Sequence, residues 1–240
     1  MVSLPGLKSA CSSCSLRELC LPAGLDQREL EQVEQIVRVR RPIKRSGYLY
    51  RAGLELQSLY AIRTGFMKSC VLHDDGREQV TGFHMMGDLM GLDAISTGRH
   101  MCNAVALEDS EVCDIPFAAL ERLSRHIPSL QHHFHRIMSR EIVHDYGVML
   151  LLGSMHAEER LAAFLLNLSQ RLAARGYSSE ELNLRMTRAE IGSYLGLTLE
   201  TVSRALSRLQ DNELIRVRHK HVKITDPKAL RTLVGDSACR

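Results

Sequence analysis

No apolar run in this 240-residue chain reaches the ~18 residues that a membrane-crossing helix needs, and that absence speaks against a helical membrane protein. The opening residues, MVSLPGLKSACSSC, lack the basic lead and continuous apolar segment of a secretory signal. The sequence is therefore expected to work in the cytoplasm. Cysteine is scarce, at seven residues; an odd number cannot pair completely, and a reducing cytosol disfavours a disulfide framework. The net charge of +3 is too small to announce a nucleic-acid partner by itself.

What is present is ordinary for a globular chain of one or two domains: 45% hydrophobic and 25% charged residues, enough to bury a full core. The charge is unevenly placed. Residues 1–156 hold 17 Lys and Arg against 18 Asp and Glu, while residues 157–240 hold 14 against 10. From about Val33 to Phe117 the text consists of short apolar runs broken by turn signals, as in "SLYAIRTGFMKSCVLHDDGREQVTGFHMMGD". "HDDG" is a hairpin signal, since Asp and Gly tolerate the backbone of a tight turn. Many short strands at this spacing predict a compact antiparallel barrel or jelly roll.

After Pro128 a long helix is predicted to about Gly153, and a second, "AEERLAAFLLNLSQRLAARG", follows and stops at a glycine. On the first, Phe134, Met138, Ile142, Met149 and Leu152 form one apolar stripe interrupted by Asp145, with Ile137, Val148 and Leu151 on the other side. From the pattern alone the stripe serves equally as an intramolecular packing face or as a seam between two copies. A carboxylate inside such a seam weakens association, so Asp145 is a candidate brake on a dimer.

The stretch "MTRAEIGSYLGLTLETVSRALSRLQDNELIRVRHKHVKI" carries the sharpest local signature. Thr187 and Glu190 make a capping box, Gly196 sits in a turn, and Thr198 caps a second helix from Leu199 to about Gln210. Ile191, Leu195, Leu197, Val202, Leu206 and Leu209 hold the pair together, leaving Glu200, Thr201, Ser203, Arg204, Ser207 and Arg208 outward. Two short strands around a basic turn follow. Together these predict a winged helix-turn-helix and, with the barrel, an α+β chain.

"CSSCSLRELC" places Cys11, Cys14 and Cys20 within ten residues, and closely spaced cytosolic thiols are more often metal ligands or redox groups than bridges. A fourth thiolate would come from Cys70, Cys102, Cys113 or Cys239. Zinc suits four thiolates, though structural zinc sites usually use two CxxC-like pairs and only one is present. An iron–sulfur enzyme would need a pocket of acid and base groups, and no such constellation is legible. His132, His133 and His135 resemble metal ligands, but helical spacing spreads them around the cylinder and predicts solvated side chains.

The order of barrel, long helix and winged helix-turn-helix resembles the cAMP receptor/FNR superfamily of bacterial transcription regulators over essentially all 240 residues. "CSSCSLRELC", "SLYAIRTGFMKS", "EQVTGFHMMGDLMG", "EVCDIPF", "AEERLAAFLLNLS" and "IGSYLGLTLETVSRAL" are similar to its FNR branch. A cyclic-nucleotide sensor of the superfamily would need a ribose-binding carboxylate, for which Asp88 could serve, and an Arg-Ser pair for the phosphate. That position reads His100-Met101, and the adjacent Arg99 would point to the opposite strand face.

The resemblance implies an oxygen-labile [4Fe–4S] cluster on Cys11, Cys14, Cys20 and Cys113, with dimerisation through Ile142 and Asp145 when oxygen is absent. It further implies binding of inverted-repeat, TTGAT-N4-ATCAA-like double-stranded DNA as a homodimer, read by Glu200, Ser203 and Arg204. Arg forks onto guanine and Glu accepts from cytosine, so those residue types suit base edges. Leu199 stands where the cAMP receptor has another arginine, which favours FNR-type operators. Contact with RNA polymerase, partly through the hairpin around His73–Gly76, and a regulator rather than an enzyme are implied as well. The expected divisions are a sensor domain over 1–127, a dimerisation helix over 128–156 and a DNA-binding domain over 157–240.

Overall fold

From Leu59 to Ile62 every residue is apolar, the pattern of a strand buried on both faces, and that strand organises the N-terminal half. The computed structural model describes residues 11–235, which divide into two compact units between Glu141 and Ile142. In the first, strands β1 (Arg38–Ile43), β8 (Ser110–Pro116), β3 (Ser58–Thr64) and β6 (Leu89–Met90) lie in that order in one antiparallel sheet. A second sheet has the order β2 (Tyr48–Tyr50), β7 (Asn103–Ala106), β4 (Phe66–Leu72) and β5 (Glu78–Met85).

The two faces of β3 serve two cores. Tyr60 and Ile62 join Leu49, Met67, Ala104 and Val112 in the roll's own core. Leu59 and Ala61 turn outward and pack with Leu21, Val33, Ile115, Leu120, Leu130 and Phe134. That outer core is where helices cover the sheet. The predicted hairpin is present: β4 and β5 are joined at "HDDG", where Gly76 has φ of 84° and its N–H bonds to the His73 carbonyl.

The strand text expected from Val33 is helical at its start. Helix α1 spans Gln27–Ile36, opened by a capping box between Asp26 and Glu29, and buries Leu30 and Val33 at helical spacing. A second unforeseen helix, α2 (Phe117–Ser124), follows β8 directly. Helix α3 runs Pro128–Ser154 as expected, without internal proline.

The second unit is built on α4 (Ala157–Ala173), whose buried Leu161, Phe164, Leu165, Leu168 and Leu172 form the floor beneath the helix-turn-helix. Helices α5 (Arg188–Leu195) and α6 (Leu199–Asp211) pack together, and strands β10 (Ile215–Arg218) and β11 (His221–Ile224) form the wing. Two additions were not read from sequence. Strand β9 (Glu181–Asn183) extends the wing sheet on the far side of β11, and α7 (Pro227–Val234) closes the unit.

Candidate functional site

The cysteine segment coils as two short 3₁₀ turns, Cys11–Ser13 and Arg17–Leu19, held by backbone bonds from Cys14 to Cys11 and from Cys20 to Leu16. It is tied down at both ends. The Ser12 N–H bonds to Glu34 of α1 at 2.6 Å, and Arg17 Nη2 donates to the Leu25 carbonyl at 2.7 Å.

Cys113 reaches the same place by strand register. It pairs opposite Ala61 on β3, and alternation sends Val112 into the roll's core and Cys113 to the outer face beneath the loop. Cys11, Cys14, Cys20 and Cys113 all line one small cavity partly open to solvent, together with Arg17, Leu21, Val33, Ala61 and Ile115. Burial, followed by the neighbouring Cys113, Glu34 and Cys14, pushes the Cys11 thiol up to about 12, with Arg63 pulling the other way. Burial likewise raises Cys20 to about 12.

The other cysteines are elsewhere. Cys102 is buried in the roll's core with its thiol against Asp93, and buried Cys70 lies 3.4 Å from Glu78. Cys239 lies outside the described residues. No disulfide occurs among the described cysteines.

Among the described residues no three His, Cys, Asp or Glu side chains come close enough to hold a single metal ion. A tetrahedral zinc ion would draw its sulfurs to about 3.8 Å from one another, given Zn–S bonds near 2.3 Å. A polynuclear core would instead take one thiolate at each metal corner, and these four thiols share one cavity wall.

The histidine expectation needs correcting. His132 and His135 are exposed, but His133 is buried, and its Nε2–H donates to the Cys20 carbonyl at 3.2 Å. The start of α3 packs onto the outer core, so one of three helical positions must face it. Burial lowers the pKa of this histidine, and the neutral ring still supplies the N–H that the carbonyl needs. The cysteine loop and α3 are thus joined by a direct hydrogen bond.

Along α3 the predicted stripe divides. Phe134 and Met138 pack on the outer core, joined there by Ile137 from the other side, whereas Ile142 and Met149 are exposed and Asp145 lies exposed between them. Val143, Tyr146 and Leu150, which the stripe omits, are also more than half exposed. These five exposed large apolar side chains lie within nine residues of one helix.

In the roll, Asp88 accepts the Met85 N–H within its own turn. His100 is buried and stacks on Tyr50 with ring centroids 3.7 Å apart. Arg99 turns away as expected, bonding to the Gly53 carbonyl and Glu55 on the surface.

The helix-turn-helix forms with the predicted caps. Thr187 and Glu190 close the box at α5, Gly196 takes φ of 63°, and Thr198 accepts the Thr201 N–H at α6. Gly192 was missed: a Cβ there would lie 2.6 Å from the Leu197 carbonyl oxygen, so only glycine lets the chain turn so tightly. Val202, Ala205, Leu206 and Leu209 are buried, turning Glu200 and Arg204 outward and leaving Ser203 half-buried. Glu200 is held below the usual carboxylate range by its own backbone N–H, by Thr198 and by Arg204. Arg204 Nη2 lies 3.3 Å from Thr201 Oγ1, and Ser203 accepts a bond from Arg188 at 3.1 Å. Across a shallow cleft the wing presents exposed His219 and Lys220. A basic rim beside an exposed recognition helix suits a polyanion groove.

Comparison with known proteins agrees with both halves. The Crp-like helix-turn-helix domain family matches residues 159–233, and the cyclic nucleotide-binding domain family matches residues 40–126. The fumarate and nitrate reduction regulatory protein of Escherichia coli strain K12 is 48% identical over 225 residues, 94% of this chain and 90% of that protein. Its namesake in Yersinia pestis is 48% identical over 226 residues with the same coverage. The structure of FixK2 from Bradyrhizobium japonicum matches with a TM-score of 0.76 at 31% identity, covering 82% of this chain and 97% of that one. The relatives are named as transcription regulators, not enzymes, and no described helix is long and apolar enough to cross a membrane. With a nucleotide-binding-type roll followed by a DNA-binding helix-turn-helix and 48% identity across nearly the whole chain, this protein belongs to the Crp/FNR family of transcription regulators.

Proposed function

We propose that this regulator senses oxygen through a [4Fe–4S] cluster held by Cys11, Cys14, Cys20 and Cys113, and controls genes of anaerobic metabolism from the cytoplasm. The observation that carries the reading is the convergence of these four thiols, from a loop and a strand about a hundred residues apart, on one cavity wall. The names of the 48%-identical relatives support it. When bound, such a cluster supplies a core that dioxygen dismantles.

The chain's own residues do the rest. The loop's Cys20 carbonyl is bonded to His133 at the start of α3, so order in the loop is felt by that helix. Farther along α3, Ile142 and its exposed apolar neighbours form the homodimer seam, with Asp145 opposing its symmetry mate as the brake. The helix over 128–156 is then the dimerisation element between a sensor over 1–127 and a DNA-binding domain over 157–240. In the dimer each α6 enters a major groove of an inverted TTGAT-N4-ATCAA-like repeat, with half-sites about one helical turn apart. Arg204 forks onto guanine, Glu200 accepts from cytosine and Ser203 meets thymine or phosphate. The exposed His73–Gly76 turn is a contact for RNA polymerase. Buried His100 and outward Arg99 leave a cyclic phosphate without its guanidinium fork, which favours this reading over a nucleotide sensor.

Protein purified without oxygen should carry about four iron and four sulfide per chain. It should absorb broadly in the visible and shift an inverted-repeat duplex in a gel, losing both on exposure to air. A colourless protein containing zinc and binding DNA equally with and without air would overturn the proposal.

A further inference from the structure

Two guanidinium groups of the sensor unit carry buried N–H groups that have no hydrogen-bond partner: Arg17 through Nε, in the wall of the cysteine cavity, and Arg63 through Nη1, on β3. Arg17 lines the cavity directly. Its Nη2 is committed to the Leu25 carbonyl, and Glu18, the nearest carboxylate, is 3.7 Å from Nε and exposed. Arg63 lies on β3 two residues beyond Ala61, which lines the cavity, and close enough for its charge to pull the Cys11 thiol down. A buried N–H of a charged group left unpaired is costly, and buried polar groups in native structures generally have something to receive them.

Resting on the cluster reading above, we propose that Arg63 and Arg17 are positioning residues that compensate the charge of the bound cluster and donate hydrogen bonds to its sulfur atoms. Four thiolates on a core of charge +2 leave a net charge of −2, and two guanidinium groups balance it. Hydrogen bonds to sulfur and local charge are among the main levers a protein has on such a core. Neither residue supplies an iron ligand, so each tunes retention of the cluster rather than its assembly from four thiolates.

The test uses full-length protein loaded and handled without oxygen. For wild type, Arg63→Gln, Arg63→Lys and Arg17→Gln, the rate of iron release to an external chelator and the iron–sulfur stretching bands in the Raman spectrum are measured. Arg63→Gln should release iron roughly five-fold faster or more and should shift the bands, and Arg63→Lys should recover most of the retention because it keeps the charge. Arg17→Gln should behave like Arg63→Gln, an independent reading should either variant fold poorly. Loaded wild type beside glutamine variants with unchanged release and unmoved bands would overturn the arginine assignment alone. Wild type that takes up no iron and sulfide would overturn the cluster reading and this one with it.

Discussion

Cys113 and Cys102 are both small strand residues, and only the direction of the side chain separates them. Cys113 faces the outer core and the cysteine loop, while Cys102 is sealed in the roll with Asp93. Cys113→Ser should therefore abolish anaerobic iron binding, as should serine at Cys11, Cys14 or Cys20, whereas Cys102→Ser and Cys70→Ser should retain it. Iron assays on anaerobically purified variants decide this, and retention by Cys113→Ser with loss by Cys102→Ser would reverse the assignment. In the DNA-binding unit, Arg204 is exposed and only loosely held by Thr201. Arg204→Ala should cost about 1–3 kcal/mol on the intact operator and flatten the preference at one base pair. Titrations against operator and random duplexes check it, since equal weakening on both would make Arg204 a phosphate clamp.

At the scale of elements, α3 changes occupation along its length. Its first two turns carry buried Leu130, His133 and Phe134, and its later turns expose Ile142, Val143, Tyr146, Met149 and Leu150. Removing the charge within that patch by Asp145→Ala should favour association, so this variant should sediment as a dimer in air and bind operator without a cluster. Ile142→Ala should weaken the dimer even without oxygen, through lost apolar contact. Monomeric Asp145→Ala at concentrations where loaded wild type dimerises would remove the carboxylate from the switch. The α5–α6 turn has a different vulnerability, because Gly192 faces the Leu197 carbonyl at close range. Gly192→Ala should destabilise the second unit by about 1–3 kcal/mol through overpacking, seen as a lower unfolding midpoint and weaker DNA binding.

For the whole molecule, each of the two compact units has its own buried core. A ligand that binds only the folded state stabilises the unit that contains its site. Calorimetry without oxygen should resolve two transitions, and loss of the cluster should lower the one belonging to residues 11–141 while leaving that of residues 142–235 in place. A single transition, or a shift of both by the same amount, would mean that the units unfold together.

Much of this was legible because it is local. The caps at Thr187, Glu190 and Thr198, the turn at Gly196, the hairpin at "HDDG" and the length of α3 depend on residues a few positions apart, and the structure contains each of them. The Asp26–Glu29 box of α1 was equally local but stood beside strand-like text, and its helical spacing went unread. The spacing of Cys11, Cys14 and Cys20 was visible in one line of sequence, whereas the choice of a fourth cysteine by residue type alone was nearly even. In the folded chain Cys113 faces the same cavity as those three, since alternation along β8 and its register against β3 determine which face a thiol meets. Packing of α3 onto the outer core likewise buried His133 and not His132 or His135, and the fold set Arg17 in the cavity that Cys113 lines from a distant strand. Local sequence determines which elements form, because caps, turns and periodicity act within a few residues. Which face of each element is covered depends on the neighbours that compete to bury it, and those neighbours meet only when the chain folds.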